Sequence, residues 1–257
     1  MIPIADENPT LRTPVATIGI LLAMGFVWVV VQDAGFSAYT LAASICNLGL
    51  VPGEITGRAP VGMAIPIASG LSCVVDREPV NWLTPFISIF LHAGWLHLLG
   101  NALFFWVFGN NVEDVMGRMR FVVFYLICGL AASAAQVAVN PASPVPTVGA
   151  SGAISGVMGA YLVLFPRVRV KMLFPLLIIF PIIAFPAWAV LIWWFASQLL
   201  SGLPEMLASQ QSATGGVAFW AHVGGFVAGV TLVRPFESPV LVGRRRAAFA
   251  KWGIPAG

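Results

Sequence analysis

Uncharged apolar runs recur along the 257-residue chain, separated by short stretches where charges, glycines and prolines gather. A helix needs roughly 20 apolar residues to cross the hydrocarbon core of a bilayer. Residues 13–32 form the first run of that kind, closed by Asp33. Residues 79–112 hold a second span, most simply 92–112. Residues 121–166 carry no charge but are cut by Asn140-Pro141-Ala142-Ser143-Pro144-Val145-Pro146. Clustered prolines break helices, so this predicts spans near 121–139 and 150–166. Pro175, Pro181 and Pro186 make the start of the next run irregular and leave a fifth span near 186–203, followed by a sixth near 217–235. Residues 33–91 stay apolar but are interrupted throughout, and read as a long outer loop partly sunk in the interface. The pattern predicts an all-α membrane protein, a bundle of six transmembrane helices over 13–235 with a membrane-dipping first outer loop, between a tail at 1–12 and a basic tail at 236–257.

Composition strengthens the membrane reading. Hydrophobic residues make up 59% of the chain and charged residues 9%, where soluble proteins carry about 25% charged residues. Orientation follows from the basic side chains, which concentrate in cytoplasmic loops. With the N-terminus inside, Arg12, Arg118, Arg120, Arg167, Arg169, Lys171, Arg234, Arg244, Arg245, Arg246 and Lys251 face inward, and only Arg58 and Arg77 face outward. Both termini are therefore expected in the cytoplasm. The run Arg244-Arg245-Arg246 reads as a cytoplasmic anchor. No basic cluster interleaves with aromatics, which argues against nucleic acid as a partner. The N-terminus, MIPIADENPTLRTP, lacks the basic region of a cleavable signal peptide. Cys46, Cys73 and Cys128 fit no metal-ligand spacing. Cys46 and Cys73 are placed to pair if both lie in the outer loop, with free thiols as the alternative.

Polar groups inside a bilayer are costly, and their positions point to chemistry. His92, His97 and His222, the only histidines, all fall in or beside predicted spans. His97 and Asn101 are four apart and share a helix face. Ser151 opens the fourth span in GASGAISGVMGAY, after the proline-rich loop. Small neighbours leave its hydroxyl uncovered, and a helix N-terminus offers free N–H groups to an oxyanion. Gly152, Ser155 and Gly159 keep one side of that helix small. In FWAHVGGFVAGV, His222, Gly225 and Gly229 share a face that can press against it. The plain alternatives are a serine that caps a helix and histidines that tie helices together. Depth separates the two readings. Spans two, four and six run in the same direction and bring His97, Asn101, Ser151 and His222 to similar depth near the outer surface. With no Asp or Glu in any span interior, the expected chemistry is a Ser151–His222 dyad, with His97, Asn101 and the Ser151 backbone N–H as oxyanion donors. No metal or organic cofactor is called for, and there is no His-Glu-x-x-His. A channel or transporter would need charged residues along a path through the bilayer, which are missing.

HAGWLHLLGN (92–101), GASG (149–152) and AHVGGFVAG (221–229) together resemble the motifs of the rhomboid intramembrane serine proteases, over about residues 80–235. The resemblance implies that Ser151 is the nucleophile, His222 its base, and His97 and Asn101 oxyanion residues. It also implies that His92 supports the network near the opening, and that Gly149, Gly152, Gly225 and Gly229 permit close approach. Glu113 matches a family glutamate with a structural role. The implied enzyme is a serine endopeptidase of the bacterial inner membrane that cuts single-span membrane proteins near their outer end, with the fifth span gating entry. A non-proteolytic relative that binds membrane-protein clients is the second reading. Two departures stand out. Asn81-Trp82-Leu83-Thr84 lacks the arginine of a Trp-Arg pair, and Ser155 stands where some members stack an aromatic on the histidine. The stacking position on His222 is thereby left open.

Overall fold

A computed structural model describes residues 1–76, 78–176, 179–207 and 217–253. Arg77, one of the two basic residues expected to face outward, and residues 254–257 of the expected basic tail lie outside the described residues. Each predicted span overlaps a helix. These are α1 (Val15–Phe26), extended by a π-helical turn over Val27–Val31, α5 (Trp95–Met116), α6 (Arg118–Val139), α7 (Ser151–Leu164), α8 (Ala187–Leu207) and α9 (Phe219–Phe236). Among the described residues, α6 and the Ala187–Pro204 part of α8 are long and apolar enough to cross a bilayer as single helices. Two more qualify as pairs bent by 89°: α5 with the segment Thr84–Phe90, and α9 with α10 (Pro239–Trp252). Val15–Val31, α2 (Ala38–Leu48) and α7 are shorter apolar helices.

The short helix is the central one. Fourteen residues of α7 rise about 21 Å, against roughly 30 Å of hydrocarbon. Every residue from Gly152 to Tyr161 is buried, so neighbouring helices rather than lipid surround it. Its contact with α9 runs through glycine. A Cβ added to Gly225 would lie 1.9 Å from the Gly152 carbonyl oxygen, and one added to Gly229 would lie 1.9 Å from that of Gly156. At Gly159 the same atom would meet the Phe226 carbonyl oxygen at 2.3 Å. The stripe on α7 is therefore Gly152, Gly156 and Gly159, not Gly152, Ser155 and Gly159. Only a residue without Cβ admits a backbone so close. Ser155 instead donates its hydroxyl to the Ser151 carbonyl at 2.6 Å.

The all-α expectation needs correction at two places. β1 (Ile2–Asp6), β4 (Arg169–Leu173) and β5 (Ile182–Pro186) form an antiparallel sheet in the order β1-β4-β5. β2 (Ala64–Ala68) and β3 (Leu71–Val74) form a hairpin in the loop over 33–91. The prolines that forbid a helix before α8 leave the intervening Ile and Phe residues free to pair as strands, which β-branched and aromatic side chains favour.

The loop over 33–91 carries α2, α3 (Pro52–Ile55), the β2–β3 hairpin and α4 (Thr84–Ile87). A disulfide joins Cys46 on α2 to Cys73 on β3, which resolves the alternative left open by the sequence. Cys128 is free and buried. Reciprocal backbone hydrogen bonds between Leu50 and Thr147 tie this loop to the segment preceding Ser151.

A buried polar network closes the other end of the bundle. Because α5 runs on to Met116, Glu113 and Asp114 lie in its last turn. Glu113 accepts from the Ala16 and Thr17 amides at 3.0 and 2.8 Å and from the Thr17 hydroxyl at 2.9 Å. It thus caps the otherwise unsatisfied N-terminus of α1. Asp114 accepts from Arg12 at 3.2 Å and from Arg245 at 2.6 Å. Arg245 also donates to Asn8 and Asn111. Of the triple-arginine run only Arg244 and Arg246 are exposed. Arg245 is an internal staple rather than part of a surface anchor: it is buried and completes, with Arg12, the pairing of the buried Asp114 charge. Asp6, which accepts from Tyr161 at 2.5 Å, is pushed up to about 6 by burial.

Candidate active site

Ser151 and His222 meet where α7 begins. The turn before α7 is bonded at its base, Gly149 N–H donating to the Ser88 carbonyl at 2.9 Å. Gly149 holds φ at +126°, a region that side chains with a Cβ avoid. A Cβ there would also lie 2.7 Å from the His97 ring and 3.7 Å from Asn101 Nδ2. His97 and Asn101 on α5 are thereby drawn against the backbone that leads into Ser151. As the first residue of α7, Ser151 has an N–H with no intrahelical acceptor.

His222 sits in the first turn of α9, beside Ala221, whose N–H is satisfied by Gln136 Oε1 of α6 at 3.2 Å. The Gly225–Gly152 contact lies one turn further along α9 and sets the spacing of the two helices. His222 is 8% exposed, with Nε2 2.7 Å from Ser151 Oγ. A cavity of about 750 Å³ connects these groups; His97, Asn101, Ser151 and His222 all line it, as do Pro66 and Ile67 of the β2–β3 hairpin.

The two side chains of α5 are also set for donation. Ala93 N–H donates to His97 Nδ1 at 3.3 Å. In the neutral ring, the proton is then on Nε2, the atom facing Gly149. Asn101 is buried, and its Nδ2 has no hydrogen-bond partner among the described residues. A buried amide donor without a partner is unusual, and here it borders the cavity beside Ser151. His92 is placed differently. Its backbone N–H and C=O are clamped by Gln32 at 2.8 Å each, and its ring packs edge-on to His97 at 5.3 Å. It is fully buried and does not line the cavity.

The rhomboid domain family matches residues 79–236, more than half of the chain. The chain belongs to the rhomboid family. It is 42% identical over 91 residues to rhomboid protease GluP of Bacillus subtilis (strain 168), covering 35% of this chain and 17% of that protein. It is 37% identical over 82 residues to the putative rhomboid protease YdcA of the same organism, covering 32% of this chain and 41% of YdcA. RHOMBOID-like protein 1 of Arabidopsis thaliana is 32% identical over 210 residues, 77% of this chain and 47% of that protein. The chain thus spans less than half the length of each of these relatives. Family membership and the apolar helices together make it a multi-pass membrane protein.

Two residues of this rhomboid site escaped the sequence reading. Trp194 on α8 packs against the His222 ring, with centroids 5.8 Å apart and planes tilted by 35°. It occupies the stacking position that Ser155 does not supply. Gln198, one turn further along α8, lies 2.7 Å from His222 Nδ1 through its Oε1. A glutamine inside a predominantly apolar span was the available signal. Its spacing of four from a tryptophan puts both on one helix face.

Proposed function

We propose that this rhomboid protein is an intramembrane serine endopeptidase that cuts membrane proteins by a Ser151–His222 dyad. The observation that carries the reading is the 2.7 Å contact between His222 Nε2 and Ser151 Oγ beside a cavity. His222 takes the hydroxyl proton as Ser151 attacks the peptide carbonyl, then returns it to the leaving amine. The tetrahedral oxyanion is held by the Ser151 backbone N–H, His97 Nε2–H and Asn101 Nδ2–H. Water enters by the same cavity to hydrolyse the acyl-enzyme. His92 acts only through the placement of His97.

In this reading the six apolar helices cross the inner membrane with both termini in the cytoplasm. The cavity opens to the outer side, and the substrates are single-span proteins cut near their outer end. The shortness of α7 supports this placement, since it leaves Ser151 below the surface yet within reach of water. A helical substrate must unwind to expose its amides, and the few polar groups of the cavity, His97, Asn101, Ser151 and His222, offer an unwound segment partners at that depth.

A fluorophosphonate probe tests the dyad without a known substrate. Incubation with the detergent-solubilised, folded protein is expected to phosphonylate Ser151, as read by peptide mass spectrometry. Absence of labelling, or labelling at another serine, would refute the proposal and favour a relative that binds membrane-protein clients without cutting them. Asn101→Ala is expected to slow turnover by about 10²–10³-fold, the worth of one oxyanion donor. Steady-state cleavage of a transmembrane reporter checks it, and a rate within threefold of wild type would remove Asn101 from the oxyanion site.

A further inference from the structure

We infer that Gln198 of α8 is the positioning residue of the His222 imidazole, a neutral third member of the Ser151–His222 pair. The inference rests on the dyad reading and adds a residue on a different helix. His222 can accept the Ser151 proton at Nε2 only if its ring proton is on Nδ1. Gln198 Oε1 faces Nδ1 at 2.7 Å, and an amide oxygen only accepts.

The orientation of that amide follows from its neighbours. Ser197 Oγ lies 2.6 Å from the Trp194 carbonyl, which can only accept, so the single hydroxyl proton is committed there. Gln198 Nε2 lies 3.1 Å from the same Ser197 Oγ and must donate to it. The other end of the amide, Oε1, is thus turned to His222. The chain of donors runs one way, from Ser151 Oγ–H to His222 Nε2 and from His222 Nδ1–H to Gln198 Oε1. One turn of α8 supplies Trp194, Ser197 and Gln198. Trp194 covers the ring face while Gln198 holds its edge. When the ring becomes imidazolium during attack, the amide dipole and the indole face both stabilise it.

The environment explains an amide where soluble enzymes use a carboxylate. Among the described residues no charged side chain lines the cavity, and His97 on α5 is the other titratable group there. An ionised carboxylate at this depth would carry a desolvation cost that a glutamine avoids. Competence for proton transfer is consequently tied to the seating of α8 against α9. The outer face of α8, including Trp188, Ile192 and Trp193, is exposed to the surroundings.

The test compares Gln198→Leu and Gln198→Glu with wild type in detergent, by transmembrane reporter cleavage and by the rate of fluorophosphonate labelling at Ser151. Gln198→Leu is expected to lower kcat and the labelling rate 10–100-fold with KM within twofold. Gln198→Glu is expected to retain turnover, with the acid limb of its pH–rate profile moved to higher pH, because a carboxylate stabilises the imidazolium. Gln198→Leu at wild-type labelling rate, or a Gln198→Glu profile superimposed on wild type, would overturn the inference. If Gln198→Leu does not fold, the Gln198→Glu profile decides alone. Failure of wild type to label at Ser151 sinks the dyad reading itself, whereas labelling that is indifferent to Gln198 sinks only this inference.

Discussion

Ser151→Ala and His222→Ala are each expected to abolish cleavage of a transmembrane substrate while leaving a folded protein. The rate loss should exceed about 10³-fold, because nucleophile and base act as a unit and the loss of either disables both. Neither side chain holds the fold together. Ser151 Oγ gives up one hydrogen bond, to His222, worth about 1 kcal/mol of stability. Removing the imidazole leaves Gln198 Oε1 and the Trp194 face without their partner, at a cost of roughly 1–3 kcal/mol. The bundle is held instead by the glycine-lined α7–α9 contact and by the Glu113 and Asp114 network, neither of which these variants touch. Thermal unfolding in detergent, run beside the cleavage assay, separates lost chemistry from lost structure. Full activity in either variant would end the dyad proposal. An inactive wild type with intact client binding would point to the non-proteolytic reading.

Gly225→Ala is expected to cost both stability and turnover through one carbon atom. The new Cβ would sit 1.9 Å from the Gly152 carbonyl oxygen, well inside van der Waals contact. Backbone stands on the other side, so no side chain can swing away. The helices must part by about 1 Å or more, or the turn must distort. Overpacking of this kind costs about 1–3 kcal/mol. The shift acts one turn from His222 and directly beside Ser151. A 1 Å misplacement of reacting groups is worth about 10² in rate, so turnover should fall by about that factor. Gly19→Ala is the control. Gly19 lies in α1 with nothing within 4 Å of an added Cβ, and alanine there should be neutral or stabilise by about 0.5–1 kcal/mol. If Gly225→Ala matches Gly19→Ala in unfolding temperature and cleavage rate, close backbone packing is not what sets the Ser151–His222 geometry.

Other parts of the molecule were harder to foresee. The proline-bearing segment after Lys171 has no helical future, and its β-branched residues could have been read as strand. Its strand β5 pairs with β4, and the other edge of β4 pairs with Ile2–Asp6, 160 or more residues away in sequence, a partner that no local pattern announces. Arg245 looked like its neighbours Arg244 and Arg246. Its burial depends on Asp114 and Asn111 of α5 and on Asn8 near the N-terminus, two parts of the chain far from it in sequence. Ser155 looked like a member of the small stripe because serine is small. The stripe proved to need glycine, since the limit is set by the missing Cβ and not by side-chain volume.

Sequence alone determined that the chain is a multi-pass membrane protein, where six of its helices lie, and which polar residues to look for at one cavity. Hydrophobic runs and charge placement are local or one-dimensional properties, and the cost of burying polar groups in lipid makes the few exceptions conspicuous. Only the tertiary structure decided which helix face meets which. The pairing of Cys46 with Cys73, the turn of Arg245 inward, and the arrival of Trp194 and Gln198 at His222 all follow from packing between segments far apart in the chain. Packing of that kind depends on three-dimensional fit at the scale of a single methyl group, which no pattern along one strand of sequence encodes.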